Sequence, residues 1–189
     1  MELVLDLVIS AVSIAVVGQY TWAGKGHFAS DKMPLGAMLI SLVVLLTGVF
    51  FLYLTWAQAQ PPAAQITGLA LQLFSWWLFW RAIGASRAAK LRLAFDEEAP
   101  RGLVTEGPYR FVRHPFYTSY VMFWAGWALA LWSAVSLLPL AIIITIYVVA
   151  ARIEEQKFAG TPMAADYEAY RQRTGFFLPK LTGQRPRRA

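Results

Sequence analysis

The chain has 189 residues, 58% of them hydrophobic, and a mean hydropathy of +0.47, whereas a typical soluble domain is roughly 45–50% apolar. Its length points to one domain, and the absence of cysteine excludes both a disulfide framework and a thiolate metal site. The net charge of +6 does not mark a nucleic-acid binder, because the basic residues flank apolar runs and form no stripe interleaved with stacking aromatics.

Leu3 to Trp22 reads as a first membrane span, with Asp6 its one charge; a crossing helix needs about 20 mainly apolar residues. A cleavable signal peptide fits poorly, since Glu2 and Asp6 stand where a signal carries Lys or Arg. After a polar link, Gly24 to Lys32, an uncharged run from Met33 to Trp56 forms the second span. Gln58 to Gln65, with Pro61 and Pro62, reads as a tight hairpin loop. The third span, Ile66 to Trp80, reaches adequate length with Ala63 and Ala64 before it and Arg81 snorkelling after it. Arg81 to His114 is the longest polar connection. Phe116 to Trp132 and Ala134 to Ala151 follow as fourth and fifth spans. The break at Ser133 is so short that these two are expected to form an antiparallel hairpin. From Arg152 onward the chain is amphipathic and basic.

With five spans, all 17 Lys and Arg fall on one face of the bilayer. The positive-inside tendency makes that face cytoplasmic and puts the N-terminus outside, as in a bacterial inner membrane. Trp22, Trp56, Trp76, Trp77, Trp80 and Trp132 sit near span ends and read as interfacial anchors. The fold expected is therefore an all-α integral membrane protein, one membrane-embedded domain over 1–189. Residues 1–83 hold three spans, and 84–189 hold the loop, the last hairpin and the tail.

Chemistry has to come from the polar segments, because side chains such as Leu, Val and Ala supply no acid, base or nucleophile. Two stretches stand out. Arg101-Gly-Leu-Val-Thr-Glu-Gly-Pro-Tyr-Arg-Phe-Val-Arg-His-Pro-Phe-Tyr117 leads into the fourth span, with Pro115 well placed at a helix start. Arg152-Ile-Glu-Glu155 closes the fifth, with two carboxylates that are costly to dehydrate at a membrane border without partners. The hairpin should bring His114, Tyr117, Arg152 and Glu155 together.

This combination resembles the isoprenylcysteine carboxyl methyltransferase family and the related phospholipid N-methyltransferases. The resemblance rests on Leu103 to Tyr109, Arg113 to Tyr117, Glu154-Glu155, and the tail from Tyr167 to Arg173 ending in Leu178-Pro179. Arg101 stands where eukaryotic members carry a histidine, and Ser119 where a glycine is common. The resemblance implies a cytosolic S-adenosylmethionine pocket formed by the long loop, the last hairpin and the folded-back tail. It would be lined by Arg101, Gly102, Leu103, Val104, Tyr109, His114, Pro115, Phe116 and Tyr117, with Glu155 meeting the cofactor's ammonium. Arg152 and His114 are the catalytic candidates, and no metal is implied. The expected acceptor is a lipophilic small molecule, lipid or lipidated group reached from the bilayer. A carboxylate acceptor oriented by Arg152 is expected, while an amine, deprotonated by His114 or Glu154, stays open. A nicotinamide-dependent membrane reductase and a non-enzymatic scaffold are the other readings.

Overall fold

The computed structural model describes residues 2–26, 35–87 and 102–180, the side chains of 24–26 excepted. Every named element is a helix: α1 (Glu2–Gly26), α2 (Leu35–Ala57), α3 (Pro62–Ser86), α4 (Pro115–Leu131), α5 (Leu137–Phe158) and α6 (Ala164–Arg173). Lys32, Lys90, Arg92, Arg101, Arg185, Arg187 and Arg188 lie outside the described residues, so part of the expected one-sided cation distribution does too.

Glu2–Ala23, Leu35–Ala57 and Ala134–Phe158 are long and apolar enough to cross a membrane. α3 is as long as α1 but carries Gln65, Gln72 and Arg81, and α4 has only 17 residues. The outward face of α2 suits hydrocarbon. Leu39, Leu42, Leu45, Leu46, Val49 and Tyr53 are all more than half exposed, an apolar surface that a soluble monomer rarely presents.

Two starts follow from proline. Pro62 sits in the first turn of α3, where a missing N–H forfeits no helical bond, and Ala64 and Gln65 donate back to the Pro61 carbonyl at 2.9 and 3.1 Å. Pro115 does the same for α4. There the His114 carbonyl receives both the backbone N–H (2.8 Å) and the hydroxyl (3.0 Å) of Thr118. The connection between α2 and α3 is thus shorter than the expected Gln58–Gln65 loop, and Gln65 is helical. α3 also runs six residues past Trp80, to Ser86. Trp132 ends α4 in the left-handed region, at φ 47°, and a short turn over Ala134–Ser136 leads into α5.

The short connection was expected to leave α5 as the one neighbour of α4, and this needs a correction. α4 does contact α5, but its most extensive partner is α3. The reason is side-chain size. Gly126 and Ala130 on α4 face Gly68 on α3 so closely that a Cβ on Gly68 would meet the Gly126 carbonyl oxygen, and one on Gly126 would lie 2.8 Å from the Gly68 oxygen. Small residues let two backbones approach, which is how helices associate where there is no hydrophobic drive between them. Beside this contact, Phe51, Phe123, Trp124 and Trp127 form an aromatic core, with Trp124 and Trp127 stacked at 5.8 Å.

A polar seam joins α1 to α3. Gln65 Nε2 donates to Asp6 Oδ1 at 2.6 Å, Gln72 Nε2 to Ser13 Oγ at 3.2 Å, and Trp76 and Trp80 Nε1 to Gln19 Oε1 at 2.8 and 2.9 Å. Partner numbers rise together along both helices, so α1 and α3 are parallel. Trp56, Trp76 and Trp80 therefore have specific partners on α1 in addition to any interfacial role.

Candidate active site

The site grows from three pieces of chain that meet at the N-terminus of α4. Gly107-Pro108 turns the incoming loop. Gly107 has φ +56°, and a Cβ there would lie 2.9 Å from that of Ala85, so the turn needs glycine twice over. Beyond the turn, Val112 forms an isolated parallel bridge with Gly175, in which Arg113 N–H donates to the Gly175 carbonyl (2.8 Å) and Gly175 N–H to that of Phe111 (3.0 Å). The tail returns here because α6 folds onto the end of α5. Tyr167 stacks on Phe158 with ring centroids 4.2 Å apart, and the Tyr170 hydroxyl donates to the Tyr109 carbonyl at 2.7 Å.

His114 and Glu155, 41 residues apart in sequence, are in contact, with Nε2 to Oε1 at 3.1 Å. A carboxylate only accepts, so this bond places a proton on Nε2. The same Oε1 receives Arg113 Nε at 2.7 Å, and His114 Nδ1 lies 3.9 Å from Glu154 Oε2. One imidazole thus faces both carboxylates. Tyr117 lies beside them, its ring 5.8 Å from that of His114 and its hydroxyl turned to Glu154. Phe176 and Phe177 close the other side of the imidazole at 5.0 and 6.2 Å. Burial raises the Tyr167 hydroxyl above the usual phenolic range, and the neighbouring Glu155 charge adds to that. Burial likewise raises Tyr109 and Tyr170, so all three remain neutral hydrogen-bonding groups at physiological pH.

The structure does not gather all the sequence candidates equally. His114, Tyr117 and Glu155 share one cluster. Leu103 packs against Phe158, Tyr167 and Tyr170 beneath the tail. Val104, Tyr109 and Phe116 pack with Phe79, Ala82 and Ile83 between α3 and α4, and Pro115 is fully buried at the head of α4. Gly102 is partly exposed with nothing near its Cβ position, Arg152 is exposed, and Arg101 lies outside the described residues. Sequence reasoning gives Arg113 no role of its own, nor Phe176 and Phe177. Arg113 is the more telling omission. Its one sequence signal is a cation next to His114 while a Glu pair awaits partners, but most of its contacts are to backbone carbonyls.

No curated protein matches the chain. The phospholipid methyltransferase family matches residues 63–161, more than half of the chain. That stretch includes α3, α4 and α5, and with them both His114 and the Glu pair. Together with the lipid-compatible helices, the match makes this an integral membrane protein of a methyltransferase family. The chain belongs to the phospholipid methyltransferase family, a relative of the isoprenylcysteine carboxyl methyltransferases.

Proposed function

We propose that the chain transfers a methyl group from S-adenosylmethionine to a lipophilic acceptor at the cytoplasmic rim of a bacterial inner membrane. The observation that carries this reading is the contact of His114 with Glu155 beside Glu154 and a set of aromatic rings. The donor set fits such a cofactor. A carboxylate offers a charge-assisted hydrogen bond to the ammonium of its methionine part, and aromatic faces suit a sulfonium and an adenine. The cofactor supplies an activated methyl group; the chain's part is to bind, orient and keep water away, which can account for a large share of barrier lowering. In this reading α3 and α4 also cross the bilayer, giving five spans, an outer N-terminus and one domain. Loop, tail and the inner ends of α4 and α5 make the pocket.

The charges around His114 bear on the choice of acceptor group. Arg152, the cation expected to orient a carboxylate, is exposed, and the charged groups nearest the imidazole are Glu154, Glu155 and Arg113, the last two already paired with each other at 2.7 Å. This favours an amine over the carboxylate expected from the sequence. Methylation of a protonated amine must release a proton, and His114 or Glu154 is placed to take it.

Equilibrium binding in detergent separates the readings. The protein should bind S-adenosylmethionine and not NADPH; the reverse result supports a reductase, and binding of neither supports a scaffold. Incubation of native membranes with methyl-labelled cofactor should then put label into an extractable lipid amine. Label in base-labile methyl esters would restore the carboxylate.

A further inference from the structure

Arg113 hydrogen-bonds the end of α5 and the backbone of the tail at once, where His114 meets the tail only through its aromatic rings. Its guanidinium gives Nε to Glu155 Oε1 on α5 at 2.7 Å and one terminal nitrogen to the Thr174 carbonyl at 2.7 Å, with the Arg171 carbonyl at 3.4 Å. Its backbone N–H holds Gly175, and its cationic plane lies 5.5 Å from the centre of the Phe176 ring, itself against His114. The side chain is only 8% exposed. A guanidinium is a rigid planar fork, so its bond directions are fixed relative to one another. A shift of the Thr174 carbonyl therefore turns the nitrogen that aims Glu155.

We propose that Arg113 is a positioning residue that couples docking of the tail, Thr174 to Phe177, to binding of the cofactor ammonium at Glu155; this rests on the methyltransferase reading. With Oε1 occupied by Arg113 and His114, the carboxylate is oriented before a ligand arrives, and the ligand in turn favours the docked tail. Linkage makes the two effects equal. Whatever factor docking adds to cofactor affinity, the cofactor adds to docking.

The tail carries its own reporters. Lys180 Nζ donates to the Arg171 and Gln172 carbonyls at 3.0 and 2.7 Å, so docking engages a side chain that trypsin must read. Gly175 supplies a variant that keeps the side chains of Arg113, His114 and Glu155 and acts on the tail itself, because a Cβ there would strike the Leu178 carbonyl.

The test is tryptic cleavage after Arg173 and Lys180 with and without S-adenosylmethionine, alongside equilibrium binding, for the unsubstituted protein, Arg113→Gln, Arg113→Lys and Gly175→Ala. Saturating cofactor should slow cleavage of the unsubstituted protein several-fold. Arg113→Gln should lose at least tenfold in affinity and all cofactor-dependent protection, with Arg113→Lys intermediate. Gly175→Ala should be cut faster and bind more weakly. A Gly175→Ala tail that is released while affinity stays unchanged overturns the coupling, as does an Arg113→Gln protein that is still protected by cofactor. If the unsubstituted protein binds no cofactor, the methyltransferase reading falls first and takes the coupling with it.

Discussion

At the scale of single residues, the imidazole of His114 and the carboxylate of Glu155 are drawn together by elements far apart in sequence, and it took the expected hairpin and the family resemblance, beyond their chemistry, to nominate them. A histidine at a membrane border and two adjacent carboxylates are expensive to dehydrate unpaired, so their pairing was legible. Arg113 was not, because its bonds to Thr174 and Arg171 are to carbonyls that every residue possesses. Glu155 and Arg152, three positions apart on α5, differ sharply in surroundings, and this predicts different outcomes. Glu155→Gln removes a charge-assisted hydrogen bond of about 1.5–3 kcal/mol. S-adenosylmethionine affinity should fall roughly ten- to a hundredfold by isothermal titration. Arg152→Gln should change that affinity by less than about threefold, as expected of an exposed charge. A comparable loss in both would place the cofactor's own carboxylate at Arg152 and give that residue a share in binding.

Among the elements, the apolar runs revealed the helices, but not which ones embrace. Hydropathy treats Gly68 and Gly126 as weak positions, whereas their lack of a side chain is what lets α3 and α4 touch. Chain proximity suggested α5 as the chief neighbour of α4; surface shape selects α3. Gly126→Leu should therefore destabilise the protein by about 1–3 kcal/mol, the usual cost of overpacking. Gly84→Ala, also in α3 but with nothing within 4 Å of the new Cβ, should be neutral or stabilising by up to about 1 kcal/mol. Thermal unfolding in one detergent compares the pair. Equal losses would show that the close approach contributes little. The amide and carboxyl groups inside α1 and α3 also escaped the apolar pattern, since Asp6, Gln65 and Gln72 become a seam only when the two helices are set side by side.

For the molecule as a whole, composition alone was enough to indicate a membrane protein, and the exposed leucines of α2 agree with it. The number of crossings follows from topology, which is directly measurable because the chain has no cysteine of its own. Single cysteines at Gln58 and at Lys180 should react with an impermeant maleimide from opposite sides of the membrane in intact cells and inverted vesicles, Gln58→Cys from outside. Reaction of both from one side would overturn the five-span topology. The α1–α3 seam has a further consequence, one that concerns how the protein is made. Ribosomes deliver α1 to the bilayer first, but the partner of Ser13 lies 59 residues downstream, in the third helix. Until that helix emerges, the first waits in lipid without the partners of its Asp6 carboxyl and Ser13 hydroxyl. α1 and α2 are apolar enough to stay in the bilayer by themselves, so a nascent fragment ending at Ala57 should be retained by the membrane, but α1 takes its final place only when the third helix arrives.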